Sequence, residues 1–248
     1  MLINSFADRM KRQSDRHHLV LGFLRDETWS SSKVLTELIG GSPALTSKTM
    51  AQLERLKFVS KHEATPLRLV LWGITPHGLA HAWGDEEQMQ IRAYFEPSKL
   101  SLLAIPHHLD TQLARLKAKS FGWVHWTPES LLPRGLAKRP DAVVTSPNGQ
   151  KIAIEIERHI KTVKRYEAIF SAYLQAIKKG DYSEVHYITP DHKFAKRLIR
   201  VFGLVTAVPV VGERVSLTAK HKAKFMVYAL EDWPLASVQT MQQLLSHD

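Results

Sequence analysis

"RPDAVVTSPNGQKIAIEIERHIK", residues 139–161, contains the strand on which the reading of the fold turns. Ile152, Ile154 and Ile156 alternate with Ala153, Glu155 and Glu157, the period of two that sends successive side chains to opposite faces of a β-strand. One face is aliphatic and suited to a core; the other ends in two carboxylates. Ser146-Pro147-Asn148-Gly149 is a tight-turn sequence, so the runs on either side of it are expected to form an antiparallel hairpin. Counting back from a turn near residues 147 and 148 sets Asp141 across from residues 154 to 156 and brings its carboxylate near Glu155. Carboxylates that close repel unless a proton or a cation lies between them, and a hard divalent ion with oxygen ligands is the ordinary relief. The expectation is a magnesium or manganese site on Asp141, Glu155 and Glu157. The plainer alternative is a turn acid at 141 and a solvated edge-strand face at 155 and 157.

Composition agrees with a charged ligand. The 248 residues carry 34 Lys and Arg against 24 Asp and Glu, a formal net charge of +10. That excess is the electrostatic footprint of a phosphate-binding surface and makes DNA the leading partner. There is no cysteine, which removes disulfides, thiol nucleophiles and thiolate zinc sites together and leaves oxygen and imidazole as metal ligands. No run approaches the roughly 20 apolar residues of a membrane span, and residues 1–18 lack the apolar stretch of a signal peptide. A cytoplasmic protein with no membrane insertion is expected.

Outward from the hairpin, short runs rich in β-branched and aromatic residues at 122–126, 141–146, 151–157 and 184–189 alternate with helical stretches, which implies a mixed α/β domain. "KFMVYAL" near the end can add a strand and "ASVQTMQQLLSHD", residues 236–248, a closing helix. Residues 16–83 follow another rhythm: three helices, a hairpin around "HEATP", and a last helix opened by Thr75-Pro76. The third helix takes Ser42 as its N-cap, with Leu45, Met50, Leu53 and Leu56 inward and Thr46, Ser47, Lys48 and Gln52 outward. Residues 84–99, acidic and then mixed, read as a linker.

The order of the first part, with "LERLKFV" leading into a hairpin and "ITPHGLA" starting the closing helix, resembles the winged helix-turn-helix domains of bacterial regulators. The resemblance implies that Thr46, Ser47, Lys48 and Gln52 contact base edges and that Arg68, on the wing, contacts phosphate. In the second part, "PD" followed about fourteen residues later by "E-x-E" and then a helix resembles the PD-(D/E)XK nuclease core. In that superfamily the two acids hold a metal ion, and a lysine two positions after the second acid steadies the attacking water and the developing charge. Asp141 and Glu155 match; Glu157 stands where the pattern has lysine, and can serve as a further ligand or as a base. Lys161, at the start of the next helix, is favoured as the residue returning a cation to the site, and Arg158, Lys164 and Arg165 as phosphate contacts. The ion polarises the scissile phosphate and lowers the pKa of a water, the expected nucleophile.

Taken over residues 16–235, "LLAIPHHLD", "KRPDAVV", "IAIEIERHIKTVKRY" and "EDWP" resemble the MOBC relaxases of the replication-relaxation family, with the specific part at Arg139 to Tyr166. The expectation is an α/β (α+β) chain with a winged helix-turn-helix domain and linker over 1–95 and a restriction-endonuclease-like PD-(D/E)XK domain over 96–248. The resemblance implies a plasmid mobilisation relaxase that nicks one strand at an origin of transfer, working with relaxosome accessory and coupling proteins. The competing reading is a DNA-binding regulator or plasmid replication accessory whose nuclease-like half is inactive. Tyr166 reads as packed or phosphate-contacting, and the pair His107-His108 as capping or packing.

Overall fold

The computed structural model describes residues 5–84, 86–136 and 138–235. Ser5 opens the first helix, α1 (Phe6–Glu27), its hydroxyl accepting the N–H of Asp8 at 3.0 Å. A short strand, β1 (Trp29–Ser31), leads into α2 (Ser32–Ile39), which is capped by the Ser31 hydroxyl and stopped at Gly40, where φ is +66°. Ser42 then caps α3 (Pro43–Arg55), with proline in the first turn where no N–H is needed. The hairpin follows as β2 (Val59–Ala64) and β3 (Leu69–Ile74), and Thr75 caps α4 (Pro76–Ala80). The strands form one antiparallel sheet in the order β1-β3-β2. Val20, Leu24, Leu35, Met50, Leu53 and Leu71 are buried in this part of the chain.

Two expectations change here. The buried face of α3 is Thr46, Thr49, Met50 and Leu53, while Leu56 is 48% exposed. A helix advances about 100° per residue, so a stripe centred on 46, 49, 50 and 53 leaves Leu45 only partly covered and turns Thr46 inward, where its hydroxyl donates to the Ser42 carbonyl. Residues 84–99 are also not a free linker. Phe95 is buried and its N–H donates to the Ile74 carbonyl at 2.9 Å. A Cβ on Gly73 would lie 1.9 Å from the Phe95 ring, so the ring fits only because position 73 has no side chain.

After these comes α5 (Ile105–Ser120). Inside the first unit, the side-chain amide of Gln112 donates to the Trp29 carbonyl at 2.7 Å and accepts from the Ser30 hydroxyl at 2.6 Å. The chain divides into two units at Gln112 and Leu113, within α5, rather than at 95 and 96. The buried Phe95, Ile105 and Gln112 are the reason: they pack with residues of the first unit.

The second unit is built on a five-stranded mixed sheet. Its strands are β4 (Val124–Pro128), β5 (Ala142–Thr145) and β6 (Lys151–Ile156), then α6 (Val163–Lys179), β7 (Glu184–Thr189) and α7 (His192–Gly203). A small antiparallel ribbon, β8 (Ala207–Val210) and β9 (Glu213–Ser216), the short α8 (Ala219–Lys222) and β10 (Phe225–Ala229) complete it. The order is β10-β7-β6-β5-β4, antiparallel from β4 to β6 and parallel from β6 through β7 to β10. The β5–β6 register pairs Ala142 with Ile154, which sets Asp141 level with Glu155. The helix expected over 236–248 lies outside the described residues.

One face of this sheet packs Ile152, Ile154 and Ile156 against Ala114, Ala118 and Trp233. The other packs Ala153 and Tyr187 against Tyr166, Phe170 and Tyr173 of α6 and Leu198 and Phe202 of α7. The central strand β6 is therefore covered on both sides, as expected where parallel strands are joined by helices. Gly73→Ala tests the first unit: overpacking against Phe95 should cost about 1–3 kcal/mol, measured as a lower denaturation midpoint in urea with an unchanged slope.

Candidate functional site

Coverage of both faces decides what the acids do. Glu155 and Glu157 lie under α6 and not on a solvated edge, and Glu157 is only 3% exposed. A buried carboxylate needs a partner, and α6 supplies hydroxyls at two positions. The Tyr173 hydroxyl donates to Glu155 Oε1, and the Tyr166 hydroxyl donates to Glu157 Oε2 at 3.0 Å. Each glutamate also meets an ammonium: Lys138 Nζ lies 2.7 Å from Glu155 Oε1, and Lys161 Nζ donates to Glu157 Oε1 at 2.6 Å.

Asp141 completes the group at Glu155. Its backbone N–H donates to the Ile154 carbonyl at 3.0 Å, and its Oδ2 accepts the Ile156 N–H at 2.7 Å. The hairpin therefore fixes this side chain by its own backbone, one residue before β5 begins. Burial first, and then the charge of Asp141, push the Glu155 carboxyl above the ordinary range, against the opposing pull of Lys138 and Tyr173. Burial likewise raises the phenols of Tyr166 and Tyr173. Tyr187 stands beside Glu155 in the β6–β7 register, and its buried hydroxyl has no hydrogen-bond partner among the described residues.

The arrangement differs from a three-carboxylate cage. Among the described residues no three His, Asp or Glu side chains gather as a ligand set. Asp141 and Glu155 come together as expected, whereas Glu157 is engaged by Lys161 and Tyr166. Lys161 lies before α6, whose N-cap is Thr162, and the Lys161 N–H donates to the Tyr166 hydroxyl at 3.2 Å. Its ammonium serves Glu157; the ammonium at Glu155 belongs to Lys138. Two carboxylates remain a fitting donor set for magnesium or manganese, since such ions keep several waters and take one or two protein carboxylates.

Other expected contacts fall as follows. Ser47 and Lys48 are exposed on α3, Gln52 is half-buried with its Oε1 3.4 Å from His17 Nε2, and Thr46 is turned inward. Arg68 is exposed on the turn between β2 and β3 in a left-handed conformation, φ +51°. Lys164 and Arg165 are exposed at the start of α6, and Arg158 is half-buried. Lys193, Lys196, Arg197 and Arg200 are all exposed on α7. Their spacing of three, four and seven makes one helix face, a pattern present in the sequence and not read from it.

No protein-family model matches the chain, and no curated protein matches it. Among solved structures, a mutant of ZitR from Lactococcus lactis in apo form is 23% identical over 31% of this chain, with a TM-score of 0.26. The match spans 58% of that chain. No helix among the described residues is long and apolar enough to cross a membrane.

The ion pair at the centre can be tested directly. Lys138→Met leaves the Glu155 carboxylate without its ammonium and should push its pKa higher still. A carboxyl raised in the folded state destabilises only where the unfolded chain would ionise it, so the loss is absent below about pH 4, grows as pH rises toward the folded value and is constant above it. Urea unfolding at pH 4 and pH 8 should show a deficit of about 1–3 kcal/mol at the higher pH alone.

Proposed function

We propose that the chain is a metal-dependent DNA endonuclease with an N-terminal winged helix-turn-helix domain and a PD-(D/E)XK-type catalytic domain. The observation that carries this reading is the meeting of Asp141 and Glu155 at the open end of the β5–β6 hairpin, with an ammonium beside them. The order of elements supports it: an antiparallel meander β4-β5-β6, a helix, and then a strand parallel to β6. In the first unit three helices are followed by a hairpin whose exposed turn carries Arg68, the order a winged helix requires.

Asp141 and Glu155 would hold a magnesium or manganese ion, which supplies charge neutralisation at the scissile phosphate and acidifies water when bound. Lys138 takes the role expected of Lys161, an ammonium at the second acid that offsets charge developing on the phosphate. Tyr173 orients Glu155 so that one oxygen stays committed to the protein. Glu157 and Lys161, tied to each other and to Tyr166, position the entry to α6 and act on the reaction only through it. Arg158, Lys164 and Arg165 would meet phosphates on either side of the cut. The finer reading, a relaxase nicking a plasmid origin of transfer with accessory and coupling proteins, rests on the sequence from Arg139 to Tyr166.

One observation favours the second reading, a DNA-binding regulator with an inactive nuclease-like half: both glutamates already have lysine and tyrosine partners. Supercoiled plasmid bearing candidate transfer regions, incubated with magnesium, manganese or EDTA, separates the two. Metal-dependent conversion to open circle, lowered at least about 100-fold in Asp141→Asn and Glu155→Gln, is expected of the nuclease. Specific DNA binding with no cleavage under any metal would establish the regulator instead.

A further inference from the structure

A second charged site lies within the first unit. α1 and α3 enclose a groove of about 470 Å³ lined by Arg9, Arg12, Arg16 and Lys48, and no carboxylate is among its lining residues. Four cations around one space repel one another and together favour an anion between them. The Arg16 guanidinium adds a second, independent sign. Its Nε is buried and has no hydrogen-bond acceptor among the described residues, although buried donors are nearly always paired. Phe6 and Met10, 73% and 49% exposed, line the same groove and give an apolar surface against which a deoxyribose can pack.

We propose that this groove seats the phosphodiester backbone of duplex DNA, with Arg9, Arg12 and Arg16 of α1 joining Lys48 of α3 around the phosphates. The inference deepens the DNA-binding reading of the first unit and rests on it. It assigns α1 a direct part: the helix that buries Val20, Leu21 and Leu24 toward its C-terminal end grips the backbone with its N-terminal turns. Arginine suits the task because its planar fork meets a phosphate with two parallel hydrogen bonds. Contacts of this kind add affinity without choosing a base sequence, so the groove would hold α3 at the duplex while its outward residue Ser47 approaches the bases.

The test is fluorescence anisotropy of the full chain with a labelled duplex at salt concentrations from about 50 to 200 mM, the range over which counterion release is steep. Removing one cation from the phosphates should flatten the slope of log affinity against log salt by about 0.9. Arg12→Gln, at an exposed position, should flatten it by about one such step, and Arg12→Gln with Arg16→Gln by about two, with thermal melts checking that both variants fold. If wild type binds and the variants keep its slope and affinity, the groove is not a phosphate seat and the DNA-binding reading stands. If wild type binds no DNA, both the reading and this inference fall.

Discussion

Much of the second unit depends on one constraint: β6 has no solvent face. A strand with β7 on one side, β5 on the other and helices over both surfaces can carry a carboxylate only if something in the protein answers it. Tyr173 and Lys138 answer Glu155, and Tyr166 and Lys161 answer Glu157. The positions of α6, of the segment before β5 and of the loop before α6 are tied to those pairings. The site and the core are thus the same structure, and a change to either glutamate alters how α6 packs as well as any chemistry at Asp141.

That constraint also explains how far the sequence could be read. The alternation from Ile152 to Glu157 reveals the strand, its aliphatic face and, through the turn at residues 146–149, the meeting of Asp141 with Glu155. Periodicity reports which side chains share a face and not what covers it, so a buried acid and a solvated one look alike. Lys138 escapes notice for a related reason. It reaches Glu155 only because the hairpin register folds the chain back, and nothing local links residue 138 to residue 155. Lys161 is easier to notice because it is four residues from Glu157, and it serves that residue.

The first unit shows the same limit in a helix. Ser42, Pro43 and Gly40 mark the boundaries of α2 and α3 because capping is local chemistry. The facing of α3 is set by its neighbours, and the leucine pattern admits a stripe about one position away from the true one; Thr46 goes inward and Leu56 outward as a result. β1, three residues long, is too short for any period to declare itself. Phe95 against Gly73 is likewise a contact between distant positions, which leaves residues 84–99 looking like a linker.

The hydroxyls that satisfy the acids have an optical consequence. Burial lifts the phenols of Tyr166, Tyr173, Tyr187 and Tyr228 far above their ordinary value and that of Tyr182 to about 12. These rings stay un-ionised through the alkaline range in which an exposed phenol becomes phenolate near pH 10. The near-ultraviolet phenolate band is therefore silent for all five while the sheet and its helices hold. It rises when they part, so the chain carries its own absorbance report on the packing that holds Asp141 and Glu155 together.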